Sequence, residues 1–298
     1  MSAICDRNQR EMLIHTTDGL PCAFYVDEYR QNGYPWHWHD EMEFAYIEEG
    51  ELEIGINQRK IRLSCGEGIL INTGVLHSYR HTGKSRCHMP NLLFHPTLLY
   101  GTEGSIFQKK YIEPLVESPD ISYIVFKTDT PWQKLILEKF RLCCQLCADQ
   151  EYGYELLLRN ALSEIVLQIR LKISIPEHKK SGNNSPETIR MRKMLDYVQQ
   201  NFAEELTVSQ IAEAAFVSKR ECLRNFRSML HQSPMQYVKE WRVEQSKKLL
   251  AETSFSIAEI GERCGFHSQS YFTQKFKEYT GQTPGEYRKT IGKMTYNN

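Results

Sequence analysis

Residues 256–289 read SIAEIGERCGFHSQSYFTQKFKEYTGQTPGEYRK, and a variant of this stretch already appears from Leu206 onward. Val208, Ile211 and Ala212 recur 49 residues later as Ile257, Ile260 and Gly261. Phe226, Ser233, Pro234 and Tyr237 recur 50 residues later as Phe276, Thr283, Pro284 and Tyr287, the second copy carrying one extra residue in its turn. Helix starts fall in register with the repeat. Thr207/Gln210, Ser218/Glu221, Ser233/Gln236, Ser256/Glu259 and Thr283/Glu286 have the spacing in which a side chain at each end satisfies a backbone donor. Pro234 and Pro284 occupy favoured first-turn positions. A duplicated helix–turn–helix accounts for all of this.

In the first copy, a short helix over Thr207–Ala215 and a turn at Phe216–Val217 lead into a second helix, Ser218–Leu230. Cys222, Phe226 and Met229 form its inward stripe, leaving Lys219, Arg220, Arg224, Asn225 and Arg227 wholly or partly outside. In the second copy, Ile257–Cys264 and the turn Gly265–Phe266 precede a helix over about Ser268–Tyr279. Phe272, Phe276 and Tyr279 face inward there, leaving Ser268, Gln269, Ser270, Thr273, Gln274 and Lys277 for contact. Arg and Lys reach guanine acceptors and phosphates, whereas Asn and Gln pair with adenine edges. The alternative, a merely solvated helix face, explains two aligned copies less well.

These residues resemble the signature of AraC-type transcriptional regulators, over about 100 residues. The resemblance implies two helix–turn–helix units joined by one long helix, here Pro234–Leu250 with Trp241, Leu249 and Leu250 on its buried side. Two departures stand out: Phe216 replaces the small residue or glycine expected in the first turn, and Cys222 replaces a larger aliphatic.

Working outward, Pro176–Pro186 (PEHKKSGNNSP) is polar, bounded by prolines, and reads as a linker. Before it, Trp132–Leu142 and Tyr154–Ile173 carry helical apolar periodicity. The second stripe, through Leu158, Leu162, Ile165, Val166 and Ile169, is wide enough to serve a neighbouring helix and a second chain. Earlier still, Glu51–Ile56 alternates polar and apolar residues, and short apolar runs recur at Phe44–Ile47, Ile61–Leu63, Ile69–Ile71 and Ile121–Phe126 between glycine turns. That pattern predicts an antiparallel sandwich or barrel. The fold expected is therefore multidomain: an all-β cupin-like barrel over 1–130, a helical dimerisation pair over 131–175, a linker over 176–186, and an all-α double helix–turn–helix domain over 187–298.

Within the barrel, His37, His39, Glu43 and Gly50 follow the spacing of the first cupin motif, and Gly66, Gly74 and His77 most of the second. His37 and His39, two apart, are expected on one strand face. Three histidines and a carboxylate suit Fe, Mn, Ni or Zn. Asn72 stands where cupins often carry proline, and His81 where they carry asparagine. Three readings stay open: a divalent-metal site, polar lining of a small-molecule pocket that requires no cofactor, and fold residues satisfied internally. Trp36 and Trp38, with Phe44 and Tyr46, lie nearby and could stack on a sugar or belong to the core.

The nine cysteines, odd in number and irregularly spaced, read as reduced thiols of a cytoplasmic protein without an export signal. Cys143, Cys144 and Cys147 read as buried small hydrophobes, with metal binding or oxidant sensing as alternatives. No apolar run approaches the ~20 residues of a membrane span.

The expected function is sequence-specific, ligand-responsive regulation of transcription, without enzymatic activity. The resemblance implies promoter DNA, a small-molecule effector such as a sugar, a homodimer, RNA polymerase if the output is activation, and carbohydrate or related metabolic genes as targets. The alternative is a metal-dependent cupin enzyme or metal sensor fused to a DNA-binding domain. The 37 Lys+Arg and 37 Asp+Glu cancel, which excludes any argument from bulk charge. The balance hides an asymmetry: residues 186–298 hold 17 Lys+Arg against 13 Asp+Glu, giving +4, and residues 1–185 are correspondingly −4.

Overall fold

The computed structural model describes residues 19–29, 33–57, 59–83, 85–174 and 186–294; nearly all of the expected linker lies outside them. The N-terminal region is a β-sandwich. Its strands are β1 (Cys22–Tyr29), β2 (Gly33–His37), β3 (Met42–Tyr46), β4 (Glu51–Ile56), β5 (Arg59–Ser64), β6 (Gly68–Ile71), β7 (His77–His81), β8 (Cys87–Phe94) and β9 (Tyr123–Phe126). One sheet has the order β1-β8-β3-β6-β9 and the other β2-β7-β4-β5. The pairs β1–β8, β3–β6, β3–β8, β4–β5 and β6–β9 are antiparallel. The alternation read at Glu51–Ile56 is strand β4, with Leu52, Ile54 and Ile56 buried. Ile121 precedes β9 rather than starting it.

Between β8 and β9 run α1 (Thr97–Tyr100), a π-helical turn (Gln108–Ile112) and α2 (Glu113–Val116). The two periodic stretches that follow are α3 (Pro131–Asp149) and α4 (Tyr154–Lys172). They form a hairpin closed by Gln150 and Gly153, both with positive φ. Alternation along β3 sends Met42 and Phe44 into a shared apolar cluster with Ile136, Phe140, Leu162 and Ile165, where Phe44 stacks on Phe140 at 4.1 Å. Phe44 is thus core.

The C-terminal helices are α5 (Pro186–Asn201), α6 (Val208–Ala214), α7 (Lys219–Leu230), α8 (Pro234–Glu252), α9 (Ile257–Arg263), α10 (Gln269–Thr280) and α11 (Pro284–Met294). Packing divides the chain into two units. The first comprises 1–30, 38–77 and 81–188; the second comprises 189–298 with the short segments 31–37 and 78–80. At 1.5 Å per residue α8 extends about 28 Å, so a single rigid rod carries both helix–turn–helix copies. Trp241 and Leu250 are buried along it, and Leu249 is partly so. Among the described residues no helix is long and apolar enough to cross a membrane.

All five expected helix starts are capped. Thr207/Gln210, Ser256/Glu259 and Thr283/Glu286 bond in both directions. At Ser218 and Ser233 the hydroxyl accepts from the backbone N–H of Glu221 and Gln236.

Candidate effector site and nucleic-acid interface

The cupin-like residues converge. One ligand atom from each of His37, His39, Glu43 and His77 lies within 4.8 Å of the others, and all four side chains are buried. Glu43 is the second residue of β3, pointing opposite to Phe44, and His77 starts β7. His37 ends β2, whereas His39 lies beyond the strand. The expected shared strand face therefore does not exist; the turn between β2 and β3 carries His39 to Glu43 instead.

Hydrogen bonds fix the ring orientations. Each Nδ1 lies against a backbone carbonyl: His37 on Pro35 at 2.9 Å, His39 on Glu41 at 3.1 Å, and His77 on Val75 at 2.8 Å. A carbonyl only accepts, so Nδ1 carries the proton and Nε2 of a neutral ring presents its lone pair. Meanwhile Glu43 Oε2 lies 3.2 Å from His39 Nε2 and 3.0 Å from His77 Nε2. The two rings meet edge to face at 5.1 Å.

The Nε2 atoms of His39 and His77 both face the Glu43 carboxylate, an arrangement that a shared proton or a cation between them would relieve. Burial opposes charge on His39, but the bond and charge of Glu43 outweigh it and raise its pKa. For Glu43 burial likewise opposes ionisation, yet bonds from His39 and His77 hold it well below the usual carboxylate range. Any charge left unbalanced in this buried cluster would have to be desolvated. A divalent cation satisfies the same donors with neutral rings, and the Nδ1–carbonyl bonds are the outer contacts that orient histidine ligands.

Two departures from the cupin pattern acquire roles. Asn72 is buried, and its Nδ2 donates to the carbonyls of Leu115 and Ile121, both at 2.9 Å. It pins the segment between α2 and β9 where a proline could donate nothing. His81 Nε2 instead pairs with the Ser85 carbonyl at 2.7 Å in the exposed connection between β7 and β8. Trp36 is buried and Trp38 half-buried.

In the helical unit, Lys219, Arg220, Arg224 and Arg227 are exposed on α7, with Arg224 3.8 Å from Glu221. Asn225 is a correction: it lies buried at 4% exposure, three residues after Cys222 and so on the inward stripe, and cannot reach DNA from there. On α10, Gln269, Ser270, Gln274 and Lys277 are exposed and Thr273 is half-buried. Ser268 is exposed as well, but its hydroxyl caps the helix by accepting from the Tyr271 N–H. The outer face of α7 is thus mainly cationic and that of α10 mainly neutral and polar.

The comparisons with known proteins agree with this geometry. Residues 22–156 match the AraC-like ligand binding domain, and residues 211–290 a helix-turn-helix domain of this type. An uncharacterised HTH-type transcriptional regulator, YdeC of Bacillus subtilis, is 30% identical over 96% of this chain and 98% of its own. The melibiose operon regulatory protein of Escherichia coli K12 is 25% identical over 85% of this chain and 83% of its own. Among solved structures, an apo variant of ToxT from Vibrio cholerae covers 91% of this chain and 97% of its own, with a TM-score of 0.54 and 14% identity, a likeness of fold. A ligand-binding sandwich followed by a capped, duplicated helix–turn–helix, shared over nearly its full length with such a relative, places this chain among the AraC-type transcriptional regulators.

Proposed function

We propose that this DNA-binding regulator senses a small molecule at the His37–His39–Glu43–His77 cluster, with a divalent cation held there as its anchor. The observation that carries this reading is the fixed set of Nδ1–carbonyl bonds, which turns lone pairs toward an ionised Glu43. In this reading the cation supplies open coordination for effector oxygens, and the half-buried Trp38, with Trp36 behind it, contributes apolar surface. The protein acts by binding rather than turnover, in the cytoplasm.

Carbohydrate or related metabolic genes are the targets favoured by similarity, because the melibiose regulator and a transcriptional activator named RhaR from Cronobacter sakazakii, 24% identical over 90% of this chain, are among its relatives. Activation through RNA polymerase is the output this reading favours, in line with the latter relative's name. Promoter DNA would be contacted by Lys219, Arg220 and Arg224 of α7 and by Ser268, Gln269, Ser270, Thr273, Gln274 and Lys277 around α10. A homodimer through α4 accounts for Leu156, Leu167 and Leu171, which recur along one side of that helix at 66%, 42% and 67% exposure.

Elemental analysis of the full-length protein purified with divalent metals present tests the site. One equivalent of metal, lost in His77→Ala and Glu43→Gln, supports it. A metal-free wild-type protein whose melting temperature no divalent cation raises overturns the anchor. A panel of sugars and related metabolites, screened by thermal shift, then identifies the effector class.

A further inference from the structure

A second cluster lies on the face of the β1-β8-β3 sheet opposite to Glu43. Cys22 opens β1 and Cys147 sits in the last turn of α3; both belong, with Cys143, to the apolar cluster beneath α3 and α4. Beside them is a cavity of about 80 Å³ lined by Leu20, Cys22, Phe24, Cys147, Gln150 and Tyr154. That is room for a few water-sized molecules. Cys22 and Cys147 both line it, so a strand and a helix remote in sequence bring two thiols to one cavity.

We propose that Cys22 and Cys147 are a redox-responsive pair that closes a reversible disulfide on exposure to a hydroperoxide. The cavity has room for a molecule of that size beside both residues. Donation by Cys22 lowers the pKa of Cys147 against the effect of burial, and the same bond, with burial, raises that of Cys22. Burial instead lifts Cys143 to about 12 and raises Cys144. Cys147 is thus the cysteine whose ionisation its neighbour favours, and the attacking sulfur is placed there because the thiolate is the form that reacts.

The Cys147 thiolate attacks one peroxide oxygen; the S–O bond forms, the O–O bond breaks, and the hydroxide released leaves as water with one proton. Cys22 then attacks the sulfenic sulfur; the S–S bond forms, the S–O bond breaks, and a second water leaves with the Cys22 proton. Two thiols lose two electrons and one hydroperoxide gains them. The product ties the start of β1 to the end of α3, where Gln150 and Tyr154 of the α3–α4 hairpin line the same cavity. This inference stands independently of the histidine cluster.

Differential alkylation and peptide mapping of the full-length protein treated with hydrogen peroxide test it. The expected result is loss of two of the nine thiols, recovery of a Cys22–Cys147 cross-linked peptide, and reversal by dithiothreitol. Cys147→Ser abolishes the paired loss, and Cys22→Ser leaves a sulfenic acid at Cys147 that dimedone labels. The proposal fails if peroxide oxidises exposed Cys65 or another cysteine while Cys22 and Cys147 both remain alkylatable after denaturation. The wild-type map decides between these outcomes even if a variant does not fold.

Discussion

The two helix–turn–helix copies differ most at the residue that turns the chain between their helices. Phe216 and Gly265 occupy equivalent places, and both adopt positive φ, 55° and 78°. In the second copy the turn presses on the entry to the first: a Cβ at Gly265 would lie 2.7 Å from the Phe202 carbonyl oxygen, 2.8 Å from that of Ala203 and 2.9 Å from Arg242 Cζ. Arg242, on α8, donates to the carbonyls of Phe202 and Glu204, both at 2.7 Å, locking the same joint. The first copy's turn meets no such neighbour. Phe216 is 89% exposed, with the Lys193 ammonium over its ring at 5.8 Å. Glycine is demanded where the copies touch; where the turn faces water, a bulky residue is tolerated at the cost of a left-handed backbone.

If the proposed DNA faces are right, the copies would also divide the work of recognition. Cationic α7 is suited to phosphates, and amide-bearing α10 to base edges. Six substitutions sharpen or break the comparison. Gly265→Ala combines the left-handed penalty with a backbone clash and is expected to cost about 2–4 kcal/mol, read by thermal unfolding and loss of DNA binding. A variant as stable as wild type would refute the joint. Gln274→Ala is expected to cost ~1–3 kcal/mol at a preferred base and relax specificity there without changing the salt slope; Arg220→Ala should instead lower that slope by roughly one while weakening all sequences alike. Ser256→Ala and Thr207→Ala each remove a cap worth ~1 kcal/mol, and equal melting shifts in both would show that the copies share this element despite their different turns. Phe216→Gly has the smallest effect, within ~1 kcal/mol and in the stabilising direction.

How much the sequence told in advance follows the range of each interaction. Local patterns survived: the β4 alternation, the caps, the inward stripe of α7 and the apolar stripes of α3 and α4 each depend on residues a few positions apart. Asn225 was misplaced because it lies one position from the edge of that stripe, where a helical wheel is ambiguous and packing decides. His39 was given to a strand because spacing alone does not reveal that β2 ends at His37. The pairing of Cys22 with Cys147 and the tethering of Asn72 to Leu115 and Ile121 are long-range contacts that leave no periodic trace. Even the meeting of His77 with Glu43 was legible only through the cupin-like spacing.

The central claim is that a tandem helix–turn–helix reads DNA with a phosphate-gripping α7 and a base-reading α10. Selection of bound sequences from a random DNA pool, run with wild-type protein, Gln274→Ala and Arg220→Ala, tests it most directly. The account predicts a defined wild-type consensus, loss of preference at one or more positions with Gln274→Ala, and an unchanged consensus at lower affinity with Arg220→Ala. If both variants return the wild-type consensus at wild-type affinity, the assigned recognition faces are wrong.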